Sequence, residues 1–385
     1  MGCGMAMGSL ITYLETEQRL FSEFPFNEVD SLVLSTLCYF RFEKAGVVVP
    51  CGSERVLLHD AVALSDWCDL FAGCWLEDQG GSSDFAHAIM ASRRYRYVEI
   101  GFFVDEFSSA VEKQFSAITF FLDSGACYLA FRGTDGTIVG WKEDFNMSFL
   151  PVIPSQRSAA SYVSGVASGT TGPLFLGGHS KGGHLAEFAA LDADQPVYER
   201  IFSVYNHDGP SFAEDPSPRM RTDEYACKLH KTVPVDSLFG MVYEDRESFC
   251  VVDAESFSVF QHNPFSWIVE EGRFKHLEDL STGAMLIDDV FSNWIRTKDK
   301  EECERFVEAA FVMLCATEAS TWAEFQSQLV ANIATMVGEG GRLDSDTKRF
   351  LLGTLASLGD AAGRELAGRL QFAREFLTTS HPKKS

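Results

Sequence analysis

Leu174-Phe175-Leu176-Gly177-Gly178-His179-Ser180-Lys181-Gly182-Gly183-His184-Leu185-Ala186-Glu187-Phe188-Ala189-Ala190-Leu191 is the stretch on which the reading of this chain turns. A short apolar run enters, a G-x-S-x-G pentapeptide from Gly178 to Gly182 turns, and a helical pattern leaves. Strand, tight turn and helix is the setting in which that pentapeptide forms a nucleophile elbow, lifting one hydroxyl clear of a sheet at a helix N-terminus. Glycines suit such a turn because they carry no Cβ, and Gly182 and Gly183 let the first helical turn pack close to adjacent strands. A glycine-rich turn with a surface serine is the plain alternative, because short motifs recur by chance.

Outward from the elbow, strand and helix patterns alternate. Ala117 to Leu122 and Cys127 to Phe131 read as two strands joined by the turn Asp123-Ser124-Gly125. Short apolar runs follow at 174–177, 201–205, 227–233 and 248–252, with helical patterns at about 155–167 and 181–193. This alternation predicts an α/β architecture, a mostly parallel sheet flanked by helices. Upstream the pattern is mainly helical. Val29, Leu32, Val33, Thr36, Leu37 and Phe40 share one face of a helix that Asn27 can cap, and a second helix is expected over about 58–72. Downstream of about 270 the pattern is helical again: Phe306, Ala309, Ala310, Met313 and Leu314 share a face, and Trp322, Phe325, Leu329 and Ile333 continue a second helix. The expected organisation is therefore residues 1–96 as a helical segment packed on the core, 97–270 as the α/β core, and 271–385 as a helical segment that can serve as a cap.

The composition narrows the class of function. The chain has 385 residues, 46% apolar and 23% charged, with a formal net charge of −23. So acidic a chain is a poor partner for nucleic acid, which needs clustered Lys and Arg, and for anionic lipid headgroups. The 33 phenylalanines can supply a large core. Ten cysteines are scattered without a C-x-x-C pair, and Cys38, Cys127 and Cys315 sit in apolar patterns as small hydrophobes. That usage fits a reducing cytosol, so a cytoplasmic location is expected. Residues 1–8 lack the pattern of a signal peptide, and Ala6 stands where a myristoylation site needs Ser or Thr. No apolar run is long enough to predict a membrane span.

A serine nucleophile needs a base, an acid to orient the base, and donors for an oxyanion. In sheet hydrolases the chain order is Ser, then Asp or Glu, then His. Asp236 follows the strand pattern ending Val233-Pro234, and His262 follows the run Val259-Phe260. Ser180, Asp236 and His262 satisfy the order, with Asp208 of Asn206-His207-Asp208-Gly209-Pro210 as the rival acid. Structural duty remains open for each: Asp236 can cap a turn after Pro234, and His262 can be a satisfied structural histidine. His184 lies one helical turn from the serine and is expected to face along the helix; His179 is read as a brace for the elbow. The backbone N–H groups of Lys181, next after the serine, and Thr134, in the Phe131-Arg132-Gly133-Thr134-Asp135-Gly136 loop, are the expected oxyanion donors. The Lys181 side chain is either a cation near the site or a solvated lysine at the helix start.

Taken together, Phe131-Arg132-Gly133-Thr134, Gly178-His179-Ser180-Lys181-Gly182-Gly183 and the acid after a Val-Pro strand resemble class 3 lipases of the α/β-hydrolase superfamily. The chain is more similar still to a bacterial family of α/β-hydrolase-like proteins without an assigned function. The segments that carry this likeness run from Asn27-Glu28-Val29-Asp30, through Phe131 to Met147 and Asn206 to Pro210, to Gln261-His262-Asn263-Pro264-Phe265. The resemblance implies the α/β-hydrolase fold and a Ser180, Asp236, His262 triad, and supplies no substrate; carboxyl esters, small or lipid-like, are the expected substrates of a serine hydrolase built this way, with no metal or organic cofactor implied. His184 and Asn263 depart from the residues usual in such sequences, and neither is a triad member. Arg132, Trp141 and Asp144 are expected as braces, a buried Arg–Asp pair holding the oxyanion loop. A binding or scaffold protein on the same fold, and an acyltransferase or thioesterase using the same triad, are the alternatives.

Overall fold

The computed structural model describes residues 8–72, 81–135, 137–147, 150–237, 239–245, 249–256, 258–281 and 301. The helices expected beyond about 270, and with them the cap, fall outside the described residues apart from the segment that ends at 281.

The chain begins with α1 (Leu10–Thr16) and α2 (Glu28–Leu37). Asn27 caps α2 as expected. Its side chain accepts from the Val29 and Asp30 N–H groups, and the Asp30 carboxylate accepts the Asn27 N–H in return. This reciprocal box satisfies donors that a helix start leaves unpaired. A two-residue strand, β1 (Val56–Leu57), leads into α3 (Leu58–Leu64), α4 (Trp67–Leu70) and α5 (Ser82–Ala91). The single helix expected over 58–72 is split, because Ser65 is extended and Asp66 starts a new cap on the Cys68 N–H.

The sheet follows. Its strands are β2 (Glu99–Ser108), β3 (Lys113–Phe121), β4 (Cys127–Phe131), β5 (Leu174–His179), β6 (Ile201–His207), β7 (Leu229–Pro234) and β8 (Phe249–Val252). Between them lie α6 (Ile138–Asn146), α7 (Pro154–Gly169), α8 (Lys181–Asp192), α9 (Gln195–Arg200) and α10 (Asp223–Lys228). A small hairpin of β9 (Val269–Glu270) and β10 (Arg273–Phe274) precedes β11 (His276–Leu277). The strand order is β1-β2-β3-β4-β5-β6-β7-β8-β11. From β4 to β8 every pairing is parallel, while β1 to β4 and the β8–β11 edge are antiparallel.

Side chains alternate across a strand, so each strand feeds two layers. Ile118, Phe120, Tyr128 and Ala130 pack with α2 residues such as Leu32 and Val33. Ala117, Leu129 and Phe131 pack on the opposite face with Val163 of α7 and Leu185 of α8. Covered on both faces, β4 is buried from end to end, which explains its unbroken apolar sequence. The parallel strands all end at the same edge of the sheet, and the loops that leave that edge carry the residues described next.

Candidate active site

β5 runs out at His179, and Ser180 takes φ 59°, ψ −133° before α8 begins at Lys181. A non-glycine residue there is strained by roughly 1–3 kcal/mol and persists only where its surroundings hold it. The Ser180 N–H is held by the His207 carbonyl at 2.9 Å. Close packing holds the other side: a Cβ on Gly182 would lie 2.1 Å from the Phe131 carbonyl oxygen, so only glycine lets α8 start this near the end of β4. The turn expected from the pentapeptide is present.

In the parallel register His179 pairs with His207, which makes Ser180 and Asp208 the first residues past two adjacent strands. Asp208 is fully buried and also has a positive φ, 55°. Its Oδ1 accepts from the Ser237 hydroxyl and from the Gly240 N–H at 3.1 Å, and its Oδ2 lies 2.6 Å from His262 Nδ1. Since a carboxylate only accepts, this bond places the proton of the neutral imidazole on Nδ1. The His262 ring also packs on His179, with centroids 4.5 Å apart, and on Phe239 at 4.4 Å.

The acid on His262 is therefore Asp208 and not Asp236, the expected partner. Asp236 engages the neighbouring Gln261: its N–H donates to Oε1 at 2.8 Å and its Oδ2 accepts from Nε2 at 3.2 Å. The reason lies in strand order. β6 is the direct neighbour of β5, whereas β7 is one strand further, and each step across a sheet is about 4.8 Å. Both acids satisfy the order Ser, acid, His, so spacing alone did not separate them. The Gly209-Pro210 that follows Asp208 was the available signal. A Cβ on Gly209 would lie 2.3 Å from the Ser180 carbonyl oxygen, so this turn is pressed against the elbow.

Lys181 is not a solvated lysine. Its side chain is 1% exposed, and Nζ donates to the Gln114 carbonyl at 3.0 Å, to Gln114 Oε1 at 2.8 Å and to Glu143 Oε2 at 3.1 Å. Glu143 in turn accepts from the Gln114 N–H and from Ser155, tying α6 and α7 to β3. Asp144 stands beside this group, with Oδ1 3.8 Å from Lys181 Nζ and Oδ2 accepting the Thr134 hydroxyl. Burial pushes the Asp144 carboxyl up from 3.8 to about 6, against the pull of Lys181 and Thr134. The backbone N–H groups of Thr134 and Lys181 have no acceptor among the described residues. For Lys181 this follows from its place in the first turn of α8.

Two of the expected braces, Arg132 and Asp144, are engaged, but not with each other. Arg132 is buried, and its Nη1 meets Asp105 of β2 at 2.9 Å while its Nε donates to the Cys38 carbonyl at 2.9 Å. Asp144 takes its cation from Lys181 instead. His184 faces away from the serine: Nε2 accepts from Gln156 Nε2 at 2.7 Å and Nδ1 donates to the Pro210 carbonyl at 3.1 Å. Burial lowers its pKa to about 4, so it stays neutral and pins the segment after Asp208 to α7. Among the described residues no helix is long and apolar enough to cross a membrane.

A family model described as Mbeg1-like matches residues 89–312, a span that contains Ser180, Asp208 and His262. No curated protein and no solved structure matches the chain.

Proposed function

The chain belongs to the Mbeg1-like family, and from that premise we propose that it is a serine hydrolase that cleaves carboxyl esters through an acyl-enzyme on Ser180. One observation carries the reading: a buried Asp208 bonded at 2.6 Å to His262 Nδ1, beside a serine held at positive φ between a parallel strand and a helix. Asp208 fixes the tautomer in which Nε2 is the basic nitrogen. His262 Nε2 takes the Ser180 proton as Oγ attacks the ester carbonyl. The backbone N–H groups of Thr134 and Lys181 stabilise the tetrahedral oxyanion. His262 then protonates the leaving alcohol, and water, activated by the same imidazole, releases the acid. The sequence resemblance to class 3 lipases makes small or lipid-like esters the substrates to try first. The chemistry calls on no metal or organic cofactor, and the dispersed cysteines, free among the described residues, fit a reducing compartment.

A fluorophosphonate probe tests the nucleophile directly. Labelling is expected on Ser180 and lost in Ser180→Ala; labelling that persists in that variant removes the serine from the mechanism. An aryl-ester panel of increasing acyl length, run on the wild type and His262→Ala, tests turnover.

A further inference from the structure

The side chain that precedes the nucleophile links three parts of the site. His179 is fully buried, as is Tyr39, in the turn after α2. His179 Nε2 lies 2.7 Å from the His262 carbonyl oxygen. A carbonyl only accepts, so Nε2 carries the proton, and Nδ1 accepts from the Tyr39 hydroxyl 3.0 Å away. The Tyr39 hydroxyl also reaches the His179 carbonyl at 3.4 Å. A Cβ on Gly133 would lie 2.0 Å from that hydroxyl and 2.6 Å from the His179 carbonyl oxygen. Oxyanion loop, elbow and base-bearing loop therefore converge on one tyrosine–histidine pair.

We infer that Tyr39 and His179 are positioning residues: they clamp the His262 backbone and hold Gly133 against the elbow, and so set where the imidazole and the oxyanion donors stand relative to Ser180. Neither touches substrate. The chain of bonds runs Tyr39 O–H to His179 Nδ1, His179 Nε2–H to the His262 carbonyl, and His262 Nδ1–H to Asp208. Burial, with the nearby His262 adding to it, holds the His179 pKa well below its ordinary value, so the ring stays neutral at neutral pH and keeps the one-proton tautomer that these two bonds require. The turn after α2 thus aligns a base more than two hundred residues downstream in the sequence (Tyr39 to His262). The inference rests on the proposed role of His262 as base, and its test includes a readout that needs no substrate.

The test uses the full chain with Tyr39→Phe, His179→Phe and His179→Gln. The first reads the proton resonance of the His262 Nδ1–H bond to Asp208 in histidine-labelled protein. The second reads kcat and KM on whichever ester the wild type cleaves. Loss of the clamp is expected to broaden or shift that resonance in Tyr39→Phe and His179→Phe. It should lower kcat by on the order of 10²-fold in His179→Phe and about tenfold in Tyr39→Phe, with KM held. His179→Gln, whose amide can still donate, should recover much of the loss. A resonance and a kcat that stay at wild-type values in Tyr39→Phe and His179→Phe overturn the inference while leaving the hydrolase reading intact. If no ester is turned over, the resonance decides alone. If His179→Phe does not fold, Tyr39→Phe, which loses a single oxygen, carries the test.

Discussion

Two of the buried clusters of cation and carboxylate in this protein are finished differently. In the N-terminal segment, Arg94 meets Asp30 through two bonds, Nε to Oδ1 at 2.7 Å and Nη2 to Oδ2 at 2.6 Å, with both side chains 0% exposed. Three further groups donate to that carboxylate: the hydroxyls of Tyr13 and Tyr95, and the Asn27 N–H. The remaining guanidinium N–H groups reach the carbonyls of Arg19, Phe24 and Pro25. Beneath the loop that carries Thr134, Lys181 meets Glu143 and Asp144, but Asp144 Oδ1 and Gln114 Nε2 are buried without a hydrogen-bond partner among the described residues. Buried polar groups are ordinarily satisfied, and exceptions concentrate where a site has been kept ready for chemistry. The first cluster is closed by hydrogen bonds on every side, and the second, beside the proposed site, is left partly open.

Removing the nucleophile should show the divide most sharply. Ser180→Ala is expected to cost roughly 10⁶ in kcat while the melting temperature stays near wild type, read by ester turnover and thermal denaturation. Next comes the acid. Asp208→Asn should cost on the order of 10⁴ in kcat, as when a triad acid no longer fixes the tautomer, whereas Asp236→Asn should retain activity within about tenfold. Equal losses in the two variants would undo the assignment of Asp208.

The structural cluster should respond in the other currency. Arg94→Met leaves Asp30 buried without its counter-ion, which costs roughly 3–5 kcal/mol. The measurement is the denaturant midpoint, and specific activity of the folded protein should be preserved. The smallest effect concerns Asp144. A carboxyl whose pKa rises from 3.8 to about 6 on folding binds its proton more tightly in the folded state. The folded state therefore loses stability as pH climbs from 3.8 to about 6, and none further above that window. Asp144→Asn lacks this titration, so its melting temperature should gain on the wild type across that interval and then run parallel to it. A constant difference from acid to neutral pH would place the Asp144 proton elsewhere.

How much of this could be read along the chain depends on the range of the interactions involved. The Asn27 cap, the strand at Cys127 to Phe131 and the strand–turn–helix around Ser180 are set by residues within a few positions of one another, and each is found where expected. The helix expected over 58–72 is broken because Asp66 offers a cap stronger than the apolar periodicity across it. Lys181 beside a serine looks solvated in one dimension; only the approach of β3 and α6 surrounds it with Gln114 and Glu143.

From the linear string alone came the alternation of strand and helix, the position of the elbow, and the identity of Ser180 and His262 as the groups to watch, because backbone preference and apolar period act locally. Strand order, by contrast, is a long-range outcome of packing two layers on one sheet. It decided that Asp208 and not Asp236 meets the imidazole, that Arg132 pairs with Asp105, and that Tyr39 reaches His179. A residue's neighbours across a parallel sheet are separated from it by whole crossover helices, and no spacing rule along the chain can rank them.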